Sequence, residues 1–506
     1  MSQLEYTRIG KNEAPLRLKD IPLSGYKVFS ERVINLLADS ANHCLAYFVM
    51  EQEGVLRFFC LIGKDNEHRI EVFAHELDTE VRELKSLTPD CPQLHIFERE
   101  IHENFGVEFK GHPWLKPVRY SHDRSDHSKV MDNYPFFEIE SEELHEVGVG
   151  PIHAGVIEPG HFRFICNGEK VLHLEIHLGY QHRGIERLFI EKDTGLQRCI
   201  LAESIAGDTA IGHALAHAQL IESLAGIEVN ESLQIERCIA LELERIAVHI
   251  GDTAALCADV AYQIGQVVCE ALRTTIINTT QLWCGNRFGK GLVRPGGSNY
   301  YLSENVIREI EKVLENTGNR FRQMTETIYS MPSVLSRFDD IGTVTTKQAL
   351  AIGAVGMAAR TCNVQRDIRA SHPFQYYKNY PVEPVLLETG DVLARGMLRN
   401  LEVSASIKII RDLIGIWRQK EKAMNPPMYN YRLKPDLIAV SLSEGWRGEI
   451  CHCAITDEKG RIIHYNVKDP SLHNWMALAL AVRNQEISDF PVCNKSFNLS
   501  YCGYDL

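Results

Sequence analysis

None of the fourteen cysteines in this 506-residue sequence forms a C-x-x-C pair, the spacing that most thiolate metal and redox sites use. The nearest two, Cys451 and Cys453 in EICHCAI, stand at i and i+2 of a strand-like run and share one face. Two ligands do not make a four-coordinate site, so both are read as buried small hydrophobes. So many unpaired thiols, with no basic-then-apolar start resembling a signal peptide, point to a reducing compartment. No apolar run approaches the roughly 18 residues that a spanning helix needs, so a membrane role is expected to come through partners. There is no long basic block either, and the net charge is −13; nucleic acid is excluded as a partner, because phosphate binding needs clustered Lys and Arg. Internal repeats and low-complexity segments are also missing.

What is present is a soluble globular composition, 44% hydrophobic and 24% charged. At roughly 150 residues per domain the length predicts about two to four units. Residues 1–125 alternate in short runs, CLAYFVM (44–50) and VLRFFCLIG (55–63), and the pattern predicts helix over Ala74–Leu87 and Phe97–Asn104. This is a small α/β domain. Residues 126–149, rich in acidic positions and poor in core-forming ones, read as a linker. From Gly150 two strand-like runs, HFRFICNG and VLHLEIHLG, meet at a turn at Asn167-Gly168. Apolar spacing of three to four then predicts helices at Ile200–Leu224, Leu233–Ala261, Tyr262–Trp283, Glu304–Ser330, Thr346–Ala359 and Ser471–Arg483, with strands in DLIAVSL, EICHCAI and RIIHYNV after Pro435. The expected fold is α+β: the small α/β domain joined to a large, mainly helical domain (150–506) with β segments at its start and end.

The segment FEREIHENFGVEFKGHPWLKPVRY carries Glu98–Glu100, Phe105-Gly106 and Gly111-His112-Pro113 in order. It resembles the small hydrophilic subunit of respiratory complex I and its counterpart in group 4 membrane-bound [NiFe] hydrogenases. GPIHAGVIEPGHFRF, followed by LGYQHRGIE, resembles the start of the [NiFe]-hydrogenase large subunit and of the complex I subunit that lines the quinone pocket. RPGG (294–297), GTVTTKQALAIGAVG (342–356), NVQRDIRASHPF (363–374) and RGEICH with DPSLHNW (447–475) continue the match. The whole chain thus resembles a fused small-plus-large subunit, similar to the formate-hydrogenlyase large subunit.

In the hydrogenases the resemblance implies four thiolates from two C-x-x-C pairs, the soft ligands a nickel–iron centre demands. Those positions fall here on Ala206 and Thr209, and on Ser500 and Gly503, with Cys502 one residue out of register. The expectation is that this chain binds no metal. In complex I the resemblance implies a quinone-headgroup His and Tyr; these fall on Ile157 and near Ala206. Arg183 matches the family arginine beside the terminal iron–sulfur cluster, which implies a docked partner carrying a 4Fe-4S cluster. The pattern is similar to hydrogenase-related complexes with antiporter-like membrane subunits, in which the large subunit has lost its metal site.

Residues expected to line the remaining cleft are Glu203, Asp208 and His213, read as one helix, with Arg447 from the C-terminal lobe. They suit a proton relay; the alternative is that Asp208 and Thr209 bond locally while His213 and His217 pack inside the bundle. His153 and Glu158 could gate protons or a small redox substrate, or anchor their loop. Glu186 of RGIE matches a family carboxylate that passes protons, or forms a salt bridge with Arg183 or Arg187. The expected role is a peripheral-arm subunit at the cytoplasmic face of the cell membrane, coupling electron transfer from an adjacent iron–sulfur subunit to ion translocation by antiporter-like and quinone-channel-like membrane subunits. Two other readings stay open: a non-catalytic scaffold docking the iron–sulfur subunit to the membrane arm, and a quinone reductase whose ligands have moved, with the quinone near His153 or His161.

Overall fold

Alternating side chains at 42–64 become paired strands in the computed structural model, which describes residues 8–78, 81–153, 157–422 and 425–506. The short strands β1 (Arg8–Gly10), β2 (Leu16–Arg17) and β3 (Leu23–Ser24) precede helix α1 (Tyr26–Leu37) and the long antiparallel strands β4 (Asn42–Gln52), β5 (Val55–Lys64) and β6 (Arg69–Asp78). Phe29 and Val33 of α1 are buried, and the Phe29 ring lies 5.2 Å from that of Phe73. The helix expected at Ala74–Leu87 does not form. There β6 continues to Asp78, and β7 (Glu83–Lys85) runs parallel to β8 (Glu108–Lys110). The cause is pairing: Ala74 and His75 face Phe59 and Phe58 of β5, so the backbone groups a helix would use are taken across the sheet. Helix α2 (His95–Phe105) forms as its periodicity predicts and stops at Gly106, which takes a φ of 67°.

Residues 145–149, within the expected linker, form β9 (His145–Val149) on the hairpin β10 (His161–Asn167) and β11 (Lys170–His177). Helices follow: α3 (Ile185–Glu191), α4 (Gly195–Ala202), α5 (Ala210–Ala225), α6 (Glu231–Asp259), α7 (Gln263–Cys284), α8 (Glu304–Ile328), α9 (Pro332–Phe338), α10 (Thr346–Ala351), α11 (Gly356–Arg360), α12 (Ile368–Ser371) and α13 (Val392–Trp417). The chain then returns to strand in β12 (Leu437–Glu444), β13 (Glu449–Thr456) and β14 (Ile462–Lys468), and ends in α14 (Ser471–Ala481), α15 (Phe490–Phe497) and α16 (Tyr501–Asp505). Helices α6, α7, α8 and α13 pack on one another, and α5 lies on β12 and β13. In α8, Ile307, Ile310, Leu314, Phe321 and Ile328 are buried at helical spacing. The sheet order β14-β13-β12-β2 makes an N-terminal strand the edge of the C-terminal sheet. One apolar core runs from Phe29 and Phe58 through to Leu256 and Ile410. No helix among the described residues is long and apolar enough to cross a membrane.

Two expected helices are each broken in two. Residues 200–224 divide into α4 and α5 because the Arg183 guanidinium takes the carbonyls of Ser204 and Ile205, at 2.6 and 2.9 Å. The Glu244 carboxylate then caps the new start of α5 by accepting from the amides of Ile211 and Gly212. Residues 346–359 divide into α10 and α11 around Gly353 and Gly356, both at positive φ, and Asn474 binds the freed amide and carbonyl of Val355.

Candidate functional site

The break between α4 and α5 meets the turn after β12 at the place where the cleft is expected, with Trp446 Nε1 donating to the Asp208 carbonyl at 3.0 Å. Arg447 in that turn grips Asp208 with both terminal nitrogens at 2.7 Å, reaches Thr209 Oγ1 at 3.2 Å, and lies over the Trp446 ring at 4.0 Å. Burial works against the Arg447 charge, but Asp208 outweighs it and raises the guanidinium pKa. Asp208 and Arg447, expected only to line the same cleft, are thus directly paired.

The expected grouping of Glu203, Asp208 and His213 on one helix is not. Asp208 lies in the break, and His213 one turn into α5. Glu203 caps the end of α4 and is bound by Arg294 of the RPGG turn at 2.5 Å and by the Gly291 amide at 2.6 Å. A second carboxylate, Glu222, holds the same turn through the Gly296 amide and forms a two-pronged pair with Arg237. Glu203 is thus part of the framework of that turn.

His153 Nε2 donates to the Gly160 carbonyl at 2.8 Å, and His161 Nδ1 to the Gly150 carbonyl at 3.1 Å, so both imidazoles tie the loop together. Ala154, Gly155 and Val156 of that loop lie outside the described residues. Glu158 stands beside Cys502, whose thiol is pushed to about 11 by burial first and by Glu158 second. Arg183 is exposed and folds onto the helix break, with a further bond to the Cys502 carbonyl.

Glu186 pairs with neither Arg183 nor Arg187. One of its oxygens accepts from the Val467 amide at 2.7 Å and from Asn466 Nδ2 at 2.9 Å. It opens onto a cavity of about 220 Å³ whose other wall comes from the N-terminal ERE segment, where Glu100 is paired with Arg119. Burial and the neighbouring Glu100 raise the Glu186 pKa from 4.5 to about 8 against the pull of Arg119. A carboxyl whose folded pKa lies above its unfolded value keeps a proton that the unfolded chain loses, so its contribution to stability declines as pH rises between those values. Glu186→Gln, which cannot ionise, is therefore expected to flatten the fall in thermal stability between pH 4.5 and about 8. An unchanged pH profile of the melting temperature would contradict this.

His213 and His217 lie inside the molecule, at 0% and 1% exposure, as the packing alternative holds. They are nevertheless hydrogen-bonded. His213 Nε2 meets Asp469 Oδ2 at 3.0 Å and its Nδ1 meets His452 Nε2 at 3.1 Å; the Tyr465 hydroxyl bridges His452 Nδ1 at 2.8 Å and His217 Nδ1 at 2.9 Å. Sequence reasoning missed Asp469, His452 and Tyr465. Strand alternation in EICHCAI and RIIHYNV and the acid of DPSLHNW were the available signals, but the partners are more than 230 residues away for Asp469 and His452.

A charged cluster behind the cleft was also missed. Arg360 binds Asp367, Glu402 and Glu444, while Arg369 binds Asp367 and Glu242. Arg245 adds Glu242, and His249 adds Glu402.

At the positions where the resemblance implies thiolates, Ala206 is buried, Thr209 faces Arg447, and Ser500 caps α16 by accepting from the Gly503 amide. A Cβ on Gly503 would lie 2.7 Å from the Asp469 carboxylate. Cys451 and Cys453 are buried, and burial pushes Cys451 up to about 12, so both remain thiols. Among the described residues no three His, Cys, Asp or Glu side chains are grouped to hold a metal ion.

Comparison with known proteins agrees with this architecture. Residues 31–129 match the family described as respiratory-chain NADH dehydrogenase, 30 Kd subunit, and residues 259–505 match the 49 Kd subunit family. Hydrogenase-4 component G of Escherichia coli (strain K12) is 24% identical over 93% of this chain and 81% of its own length. The C/D subunit of the NADH-quinone oxidoreductase of Phocaeicola vulgatus is 24% identical over 87% of this chain and 90% of its own. A chain of the membrane-bound sulfane sulfur reductase, an archaeal respiratory membrane complex, has the same fold, with a TM-score of 0.66 at 20% identity over 73% of this chain and all of that one. The chain thus joins 30 kDa-type and 49 kDa-type complex I domains in one polypeptide and belongs to the group 4 hydrogenase-like family.

Proposed function

We propose that this chain is a peripheral-arm subunit, at the cytoplasmic face of the cell membrane, that couples electron transfer from an iron–sulfur partner to ion-translocating membrane subunits without a nickel–iron centre of its own. The observation that carries the reading is at Gly503. The Asp469 carboxylate, held by His213, occupies the room a side chain at 503 would need. With Ala206, Thr209 and Ser500 at the other three positions, the residues present do not fit a centre built on four soft thiolates. Exposed Arg183 binds the Ser204 carbonyl just past the end of α4, a helix on which Leu196 and Ile200 are 41% and 50% exposed, and a cation with exposed apolar side chains on the same element suits a protein partner. Relatives named as components of hydrogenase-4, formate hydrogenlyase and NADH-quinone oxidoreductase support membership of such a complex. A quinone in the loop would have to displace the bonds that His153 and His161 already make.

The scaffold reading has one observation in its favour: Glu203 and Asp208 are each neutralised by an arginine. Metal analysis of the purified complex tests the main proposal. No nickel is expected with this chain, and one nickel bound per chain would overturn it. The same complex carrying Asp208→Asn separates the two roles: lost turnover in an intact assembly supports an active cleft, whereas unchanged electron transfer assigns the scaffold.

A further inference from the structure

The row Asp469, His213, His452, Tyr465, His217 is buried along its whole length, each member at most 1% exposed. It runs from Asp469 at the Gly503 wall, through α5 and the strands β13 and β14, to His217 beside the Phe189 ring. Its hydrogens can be assigned by counting donors and acceptors. Asp469 also accepts from the Ser471 amide and, as a carboxylate, offers only acceptors, so His213 donates from Nε2 and leaves Nδ1 as an acceptor. His452 must then donate from Nε2 and accept at Nδ1. Tyr465 donates to His452, and its oxygen accepts from His217 Nδ1. Every bond is satisfied in one direction. The atom left over is His217 Nε2, which is buried without a partner among the described residues and in this arrangement is a bare lone pair.

We propose that this row is a proton relay, carrying one proton between His217 and the Asp469 carboxylate at the cleft wall. A proton that binds His217 Nε2 releases the one on Nδ1 to the Tyr465 oxygen. The Tyr465 hydroxyl proton passes to His452 Nδ1, the His452 Nε2 proton to His213 Nδ1, and the His213 Nε2 proton to Asp469. Each ring and the phenol end neutral, the carboxylate has gained one proton, and no electrons move. The return stroke uses the same bonds and needs no ring to turn in a packed core. The charges facing the row set its resting state: Arg447 lies near Asp469, and Arg198 and Arg294 lie near His217. Burial, with the two arginines, holds His217 down to about 3, and burial with its imidazole neighbours holds His452 well below its ordinary value. Burial works against the Asp469 charge, but the His213 bond and Arg447 outweigh it and hold that carboxyl below its ordinary value, so the row rests unloaded at both ends and takes a proton only when negative charge enters the cleft. In the loaded row His217 Nε2–H has no acceptor among the described residues, so the row discharges when negative charge leaves the cleft. The proposal concerns this chain alone and stands apart from whether the complex carries electrons.

Nitrogen NMR of the purified full-length chain, labelled in histidine, tests the assignment. At neutral pH the expected tautomers are Nε2–H for His213 and His452 and Nδ1–H for His217, each identified by the signal lost in the His→Gln variant. A His217 resting as Nε2–H would overturn the proposal. The second arm is exchange with heavy water. Tyr465→Phe keeps the stack on Phe189, 4.0 Å between centroids, but removes the linking oxygen. Exchange of the His452 Nε2 proton is expected to slow by about tenfold or more relative to the parent. Equal or faster exchange would mean that the bonds serve packing only, and would overturn it. His217→Gln cuts the row at its end and carries the same expectation should Tyr465→Phe fold poorly.

Discussion

Arg360→Met is expected to destabilise the chain by about 3–5 kcal/mol, the cost of leaving buried charges unpaired. Arg360 is wholly buried and binds Glu402 at 2.6 Å, Glu444 at 2.9 Å and Asp367 at 3.0 Å. Methionine matches much of its volume but removes the one cation common to all three. Arg369 also binds Asp367 and Glu402, and Arg245 also reaches Glu402, but both are engaged with Glu242, so two guanidiniums would be left for the three carboxylates Asp367, Glu402 and Glu242. The loss is a large share of the 5–15 kcal/mol that typically separates folded from unfolded chains. An unfolding free energy from denaturant titration within about 1 kcal/mol of the parent would show that the cluster is not held by Arg360. Glu444→Gln is the internal control. Burial, with Asp367 adding to it, raises Glu444 to about 8, so that position is largely neutral at pH 7 and the amide is expected to cost much less.

Gly356→Ala is expected to cost about 3 kcal/mol or more and to pull Arg447 away from Asp208. Gly356 takes a φ of 57°, and a Cβ there would meet Gly448 Cα at 2.1 Å and the Arg447 carbonyl at 2.3 Å. Both are backbone atoms, so neither can swing aside, and the left-handed conformation adds its own cost for any residue with a Cβ. The start of α11 and the turn carrying Arg447 would have to separate. Thermal unfolding of the purified chain measures the stability loss. A structure of the variant reports whether the Arg447–Asp208 pair, at 2.7 Å in the parent, survives. A variant as stable as the parent, with that pair intact, would refute the argument.

Particular elements mark what could be read from sequence. The apolar stripe of α8 and the alternation in β4 and β5 depend on residues a few positions apart, and both were legible. That Asp208 and Arg447 belong to one region was legible from motifs resembling one family, but their pairing was not. The helix expected over Ala74–Leu87 failed because β5, a strand away, took the backbone of Ala74 and His75. The helix expected over Ile200–Leu224 failed because Arg183 and Glu244, from outside the segment, bind its carbonyls and amides more favourably than the helix would. No periodicity within either segment carries that information.

By itself the sequence determined the order of motifs, the family they mark, the approximate extent of α2, α6, α7, α8 and α14, and the identity of the four residues standing where thiolates would be. Each of these is a property of neighbouring residues or of a linear pattern. Tertiary structure alone decided which acid meets which base. It placed Glu203 with Arg294 and not with Asp208, Glu186 against β14 and Glu100, and Asp469 with His213 in the space beside Gly503. The physical reason is that a buried charge is tolerable only beside a partner, and the partners available to it are fixed by how distant segments pack.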